Sequence, residues 1–203
     1  MEAEPSRKNG GDIAKQAARG SQSSAPLPAS LRPCYLAGMI DLALRFSPLT
    51  TDDEAAIEKL DERAFGPGRF ARTAYRLREG VAPDLSLSFV ARVGTLLVGA
   101  NRMTPILIDL DPALLLGPLT VEPAFRSQGV GEALMMKSLD AARDAGHGLV
   151  LLVGDVDYYS RVGFARVPRG KITMPGPVDP DRLLYCELRD GAFAATSGKM
   201  RRL

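Results

Sequence analysis

The stretch RSQGVGEAL, Arg126 to Leu134, places an arginine and two glycines between an apolar run, ALLLGPLTV, and a helical pattern. A helix N-terminus leaves backbone N–H groups unpaired and carries a partial positive charge. With the helix expected to begin near Gln128, several of those groups converge, and Gly129 and Gly131 have no side chain to hold an anion away. Arg126 adds a fixed positive charge with forked donors. This set suits a phosphate or pyrophosphate; close packing of helix on strand, without a ligand, is the other use of such a turn. Two nucleotide readings fail. A dinucleotide fingerprint needs a third glycine where Leu134 stands, and a mononucleotide loop needs lysine after Gly131, where Glu132 stands.

Little else points to metal or triad chemistry. The single histidine, His147, sits in DAGHGLV, read as a helix-to-strand turn. It supports neither a histidine metal site nor a Ser-His-Asp triad. Cys34 and Cys186 stand far apart, in no metal or redox spacing, and read as free thiols of a reducing cytosol.

The elements that must position the glycine turn alternate along the chain. LALRFSPL reads as a strand. TTDDEAAIEKLDERAFG follows as a helix, with Thr50 or Thr51 as cap and an apolar face through Ile57, Leu60 and Ala64. Gly66-Pro67-Gly68 breaks it, and RFARTAYRLREG predicts a second helix ending at Gly80. Strands follow in LSLSFVARVGTLLVGANRMTPILID, turning near Gly94, and in ALLLGPLTV. After the helix SQGVGEALMMKSLDAARDAG comes GLVLLVGD, apolar enough to be buried on both faces. A short helix DYYSRV, a strand GFARVP and a final strand RLLYCEL complete the order. The class is α/β with a mixed sheet.

Composition bounds the partners. The 203 residues suit one domain, residues 41–203, after an extension over residues 1–40 rich in Gly, Ser, Pro and charge and expected to be disordered. Lysine and arginine number 26 against 24 acids, a formal charge of +2, which gives no electrostatic case for nucleic acid or an anionic membrane. No apolar run approaches the roughly 20 residues that span a bilayer. A cytoplasmic protein is expected, and a homodimer stays open.

The pattern V-x-P-x-x-R-x-x-G-x-G-x-x-L resembles the acetyl-CoA pyrophosphate loop of the GNAT superfamily of N-acetyltransferases, matched by Arg126, Gly129 and Gly131. A second match follows in YYSRVGF, where Tyr159 precedes Gly163-Phe164 at the family's spacing. The stretch from Leu114 to Phe164 is similar to the YhbS-like branch, within a resemblance running from Leu42 to Leu188.

The resemblance implies a mostly antiparallel, twisted mixed sheet flanked by helices, acetyl-CoA as acetyl donor, and transfer to an amine of a small molecule or protein by direct attack. It assigns the pyrophosphate to Arg126, Ser127, Gln128, Gly129, Val130 and Gly131, and the pantetheine to backbone of Leu119, Thr120 and Val121. Val121 N–H would polarise the thioester carbonyl, and Tyr159 would protonate the departing thiolate; Tyr158 is expected to pack or line the groove. Gly117-Pro118 fits the strand disruption the family places here, or a plain edge kink. An asparagine that many relatives carry before the tyrosine is absent from GDVDYY, and Asp155 is expected to cap the short helix instead. No general base stands out among Glu122, Asp155 and Asp157. Arg69, Arg72, Arg76 and Arg78 form a solvated helix face or, if they face the cleft, favour an acidic or phosphorylated acceptor. A domain that binds acyl-CoA as a sensor, without turnover, is the alternative function.

Overall fold

The computed structural model describes residues 43–203, so the extension expected over residues 1–40 and Cys34 lie outside the described residues. Strand β1 (Leu44–Pro48) leads into Thr50, whose backbone N–H and hydroxyl both donate to Asp53, at 2.9 and 3.0 Å. That cap starts a 3-10 turn, Thr51–Asp53, which runs into α1 (Glu54–Phe65), and α1 buries Ile57 and Leu60 as its 3.6-residue spacing predicts. The second helix is shorter than expected. Residues Pro67–Ala71 form a 3-10 turn, Arg72 is extended (φ −74, ψ 136), and only Thr73–Arg78 is α-helical, named α2. Two tertiary ties hold the break: Arg69 is drawn inward to Glu58, and the Thr73 hydroxyl donates to the Pro177 carbonyl at 2.6 Å.

Strands β2 (Phe89–Val93), β3 (Leu96–Ile108) and β4 (Asp111–Val121) form an antiparallel meander. Then come α3 (Val130–Asp144), β5 (Leu149–Val153), α4 (Val156–Tyr159), β6 (Ala165–Arg166), β7 (Ile172–Thr173), β8 (Leu183–Glu187), α5 (Ala192–Ala195) and β9 (Gly198–Arg202). The sheet runs β1-β2-β3-β4-β5-β8-β6, and every neighbouring pair is antiparallel except β4 with β5. GFARVP contributes only two residues of strand. RLLYCEL is not the last strand. Gly198–Arg202 follows, takes the edge of β3 at Ile106, Leu107 and Ile108, and pairs in parallel with β7.

Helices cover both faces. Leu114, Leu116, Val150 and Leu152 pack with Met135 and Leu139 of α3, while their neighbours Ala113, Leu115, Leu149 and Leu151 pack with Leu77 of α2. Successive residues of one strand thus enter opposite cores, which is why LLL and LVLLV carry no polar alternation. Among the described residues no helix is long and apolar enough to cross a membrane.

Candidate active site

β4 and β5 pair only at Leu114 with Val150 and Leu115 with Leu151. Beyond that β4 runs on to Val121 without a β5 partner, while β5 remains paired with β8 as far as Val153. The register of β4 on β3 slips at the same place. Leu119 faces Asn101 and Leu116 faces Met103, so β4 carries one extra residue around Gly117 (φ 109) and Pro118. Proline has no N–H for a ladder, and the positive φ suits glycine. The disruption expected at Gly117-Pro118 is present, and it opens the two strands into a cleft.

The cleft holds two cavities that share Phe65, Leu119, Tyr158 and Tyr159. One, of about 590 Å³, reaches Val121, Arg126, Ser127 and the glycines of the α3 N-terminus. Ser127 (φ 60) and Gly129 (φ 77) are left-handed, so α3 begins at Val130 and not at Gln128: a right-handed helix cannot include them. The turn is tied to the segment it leaves by Arg126 Nε, which donates to the Val121 carbonyl at 3.1 Å, and by Gln128 Nε2, which donates to the Ala124 carbonyl at 2.9 Å. Arg126, Ser127, Gly129, Val130 and Gly131 therefore gather at one cavity, with Leu119, Thr120 and Val121 on its floor. Gln128 is the exception. Its side chain turns back, and it does not line the cavity.

The Thr120 side chain points the other way. Its hydroxyl donates to the Asp61 carboxylate at 2.5 Å, fastening β4 past the break to α1. Asp61 is 1% exposed. Burial raises its carboxyl above the ordinary value, while the Thr120 hydroxyl and Arg102 oppose the rise. Sequence reasoning missed Asp61, because a carboxylate among the acids of DERAF looks like a solvated one.

Tyr158 and Tyr159 stand edge to face, 5.0 Å between ring centres, where the two cavities meet. The Tyr158 hydroxyl lies where a side chain on Gly131 would stand, so these two residues are in close approach across the cleft. Tyr159 packs its ring on Gly154, where a β-carbon would collide with it, and on Phe164 at 6.0 Å. Burial, with a lesser contribution from Tyr158, pushes the Tyr159 phenol up to about 12. Burial and then Glu132 raise Tyr158 as well. Both phenols are protonated at neutral pH. Asp155 caps α4, accepting the Asp157 N–H at 3.2 Å, as expected. Glu122 is ion-paired with Arg63 and Asp157 is exposed.

The second cavity, of about 750 Å³, lies toward α2 and the segment around Pro177 and Val178. Here the two readings of the four arginines divide among them. Arg76 is solvated, but Arg69 is 4% exposed and paired with Glu58, and Arg72 and Arg78 line the cavity. Tyr75 lines it too. Its position one helical turn before Arg78 was the available signal.

A mixed sheet parted between its two central parallel strands, beside a glycine-flanked helix start, is the architecture of an acyl-transferring class. The sequence profile of the acetyltransferase (GNAT) family matches residues 55–164, more than half of the chain, and the chain belongs to that family. By class it is a GNAT-type N-acetyltransferase. Its sequence is similar to that of the uncharacterized N-acetyltransferase YhbS of Escherichia coli K12, 26% identical over 148 residues, 72% of this chain and 88% of that one. The fold is that of the crystal structure of GNAT family N-acetyltransferase YhbS from Escherichia coli in complex with CoA, with a TM-score of 0.69 and 24% identity over 80% of this chain and 91% of that one. A GNAT family acetyltransferase from Brucella melitensis, solved in complex with acetyl-CoA, is 27% identical with a TM-score of 0.54, covering 75% of this chain and 99% of its own.

Proposed function

We propose that the chain moves an acetyl group from acetyl-CoA to an amine by direct attack. The observation that carries this is the parting of β4 from β5 beyond Leu115, which joins a cavity at the α3 N-terminus to one at α2 across the tyrosine pair. The relatives solved with CoA and with acetyl-CoA support the donor.

In this reading the pyrophosphate sits on the backbone from Arg126 to Gly131, with the Arg126 guanidinium beside it. Leu119, Thr120 and Val121 offer backbone to the pantetheine, and Val121 N–H polarises the thioester carbonyl. A neutral amine in the second cavity attacks the carbonyl carbon, forming the C–N bond, and the C–S bond then breaks. Tyr159 gives its phenolic proton to the departing sulfur and regains the proton that the amine nitrogen sheds. The elevated phenol value supports a proton donor and not a phenolate.

The test is acetyl-CoA-dependent release of free thiol across a panel of amines. Tyr159→Phe should lower kcat by roughly 10²-fold or more, the scale of a lost general acid, while acetyl-CoA affinity stays within a factor of two or so. Unchanged kcat would remove Tyr159 from the mechanism.

A further inference from the structure

We infer that the acceptor presents an anionic oxygen group, a carboxylate or a phosphate, beside its amine, and that Arg78 and Tyr75 together receive it. This rests on the N-acetyltransferase reading above and names its substrate class.

Arg78 ends α2 at the wall of the second cavity. Its Nη2 donates to the Leu116 carbonyl at 3.1 Å and stands 3.2 Å from where a β-carbon on Gly117 would be. The guanidinium is thus held at the break in β4, where the two cavities join. Its Nε is buried and has no hydrogen-bond partner. One helical turn earlier, the Tyr75 hydroxyl is also buried without a partner, and the Arg78 guanidinium lies 5.6 Å from the Tyr75 ring centre.

Among the described residues Arg78 forms no ion pair. Asp61, the carboxylate whose charge acts on Arg78, is already bound by Thr120. Burying an unpaired cation is costly, and burying unpaired donors adds to that cost. Burial draws Arg78 down to about 10 and pushes Tyr75 up to about 12, so at neutral pH one remains a cation and the other a neutral donor. Two buried donors without an acceptor, on side chains that line one cavity, match an oxyanion in charge and in hydrogen-bonding sense.

The rim agrees. Three arginines, Arg72, Arg78 and Arg182, line the cavity without an ion pair among the described residues, against two carboxylates, Asp155 and Asp179, which also accept the N–H groups of Asp157 and Asp181. A positive chamber also serves the chemistry, since it disfavours the protonated, non-nucleophilic form of the incoming amine.

The experiment uses the full chain with acetyl-CoA and follows thiol release on matched acceptor pairs. Amino acids are set against their carboxamides, and aminoalkyl phosphates against the corresponding amino alcohols. The anionic member of at least one pair should exceed its neutral partner in kcat/KM by roughly 10²-fold, since the neutral member leaves buried donors unpaired. The two series separate a carboxylate from a phosphate. Arg78→Met should bring that ratio close to one, mainly through acceptor KM. Arg78→Lys, a point charge without the fork, should fall between. Thermal midpoints and calorimetric acetyl-CoA affinity of both variants separate a lost contact from a lost fold.

Equal or better turnover of the neutral members overturns the inference. So does the absence of any anionic substrate in the panel for a chain that binds acetyl-CoA, or a folded Arg78→Met that keeps the ratio. A chain that does not bind acetyl-CoA overturns the transferase reading itself, and the inference with it.

Discussion

The two ends of the cleft are built by different means. At the α3 end one short run of chain supplies the working parts, and they are backbone: a left-handed turn at Ser127 and Gly129, then free N–H groups at the start of α3. The α2 end is made from side chains of distant segments, Tyr75 and Arg78 on one helix and Pro177 and Arg182 far along the chain. One hydrogen bond, Thr73 to Pro177, stitches those segments together. Backbone recognition suits a feature common to every turnover, the phosphates of a shared donor. A side-chain chamber suits the acceptor, which differs from one enzyme to the next.

Variants at each end should separate the two. Of three further variants, Gly131→Val should have the largest effect. The added branches compete with the Tyr158 hydroxyl and with a phosphate for the same space, and acetyl-CoA affinity should fall about tenfold or more, at least about 1.4 kcal/mol. Acceptor KM should move little. Equal affinity by calorimetry would mean that the turn only packs helix on strand.

Thr73→Val acts at the other end and should do less. It removes the donor to the Pro177 carbonyl, so stability should drop by about 1 kcal/mol and acceptor KM should rise a few-fold. Acetyl-CoA affinity should not change. A change in donor affinity as large as that in acceptor KM would show that the two ends are not independent.

The smallest effect belongs to neither end. Asp53 is buried, which alone would raise its carboxyl, but the Thr50 N–H, Arg92 and the Thr50 hydroxyl together hold it below the ordinary 3.8. A depressed folded-state value means that its stabilising share is complete above the ordinary value and is lost as pH falls through the folded one. Asp53→Asn should cost about 1 kcal/mol at neutral pH and flatten the acid limb of the unfolding midpoint, with kinetics at either end intact. A limb as steep as that of the parent chain would move the acid sensitivity to other carboxylates.

What was legible in the sequence follows the same division. Gly129, Gly131 and Gly117-Pro118 announce a turn and a broken strand because each residue is selected for a local backbone state. The doubly apolar β5 is legible because nothing polar fits between two cores. Arg78 was left between a solvated face and the cleft, and Tyr75 was not singled out, since a helix of alternating arginines looks solvated until the fold decides which face turns inward. The break at Arg72 and the strand Gly198–Arg202 share that origin: the first is held by Glu58 and Pro177, the second by the free edge of β3. The turn of the Gln128 side chain toward Ala124 was not legible, because its place in the motif says nothing about where its side chain goes.

The most direct measurement is calorimetric titration of the unmodified chain with acetyl-CoA and, in parallel, with CoA. Saturable binding of both at one site per chain is expected if the parting of β4 and β5 is a donor site. No saturable binding of either would contradict it, and would reduce the cleft to a feature of the fold.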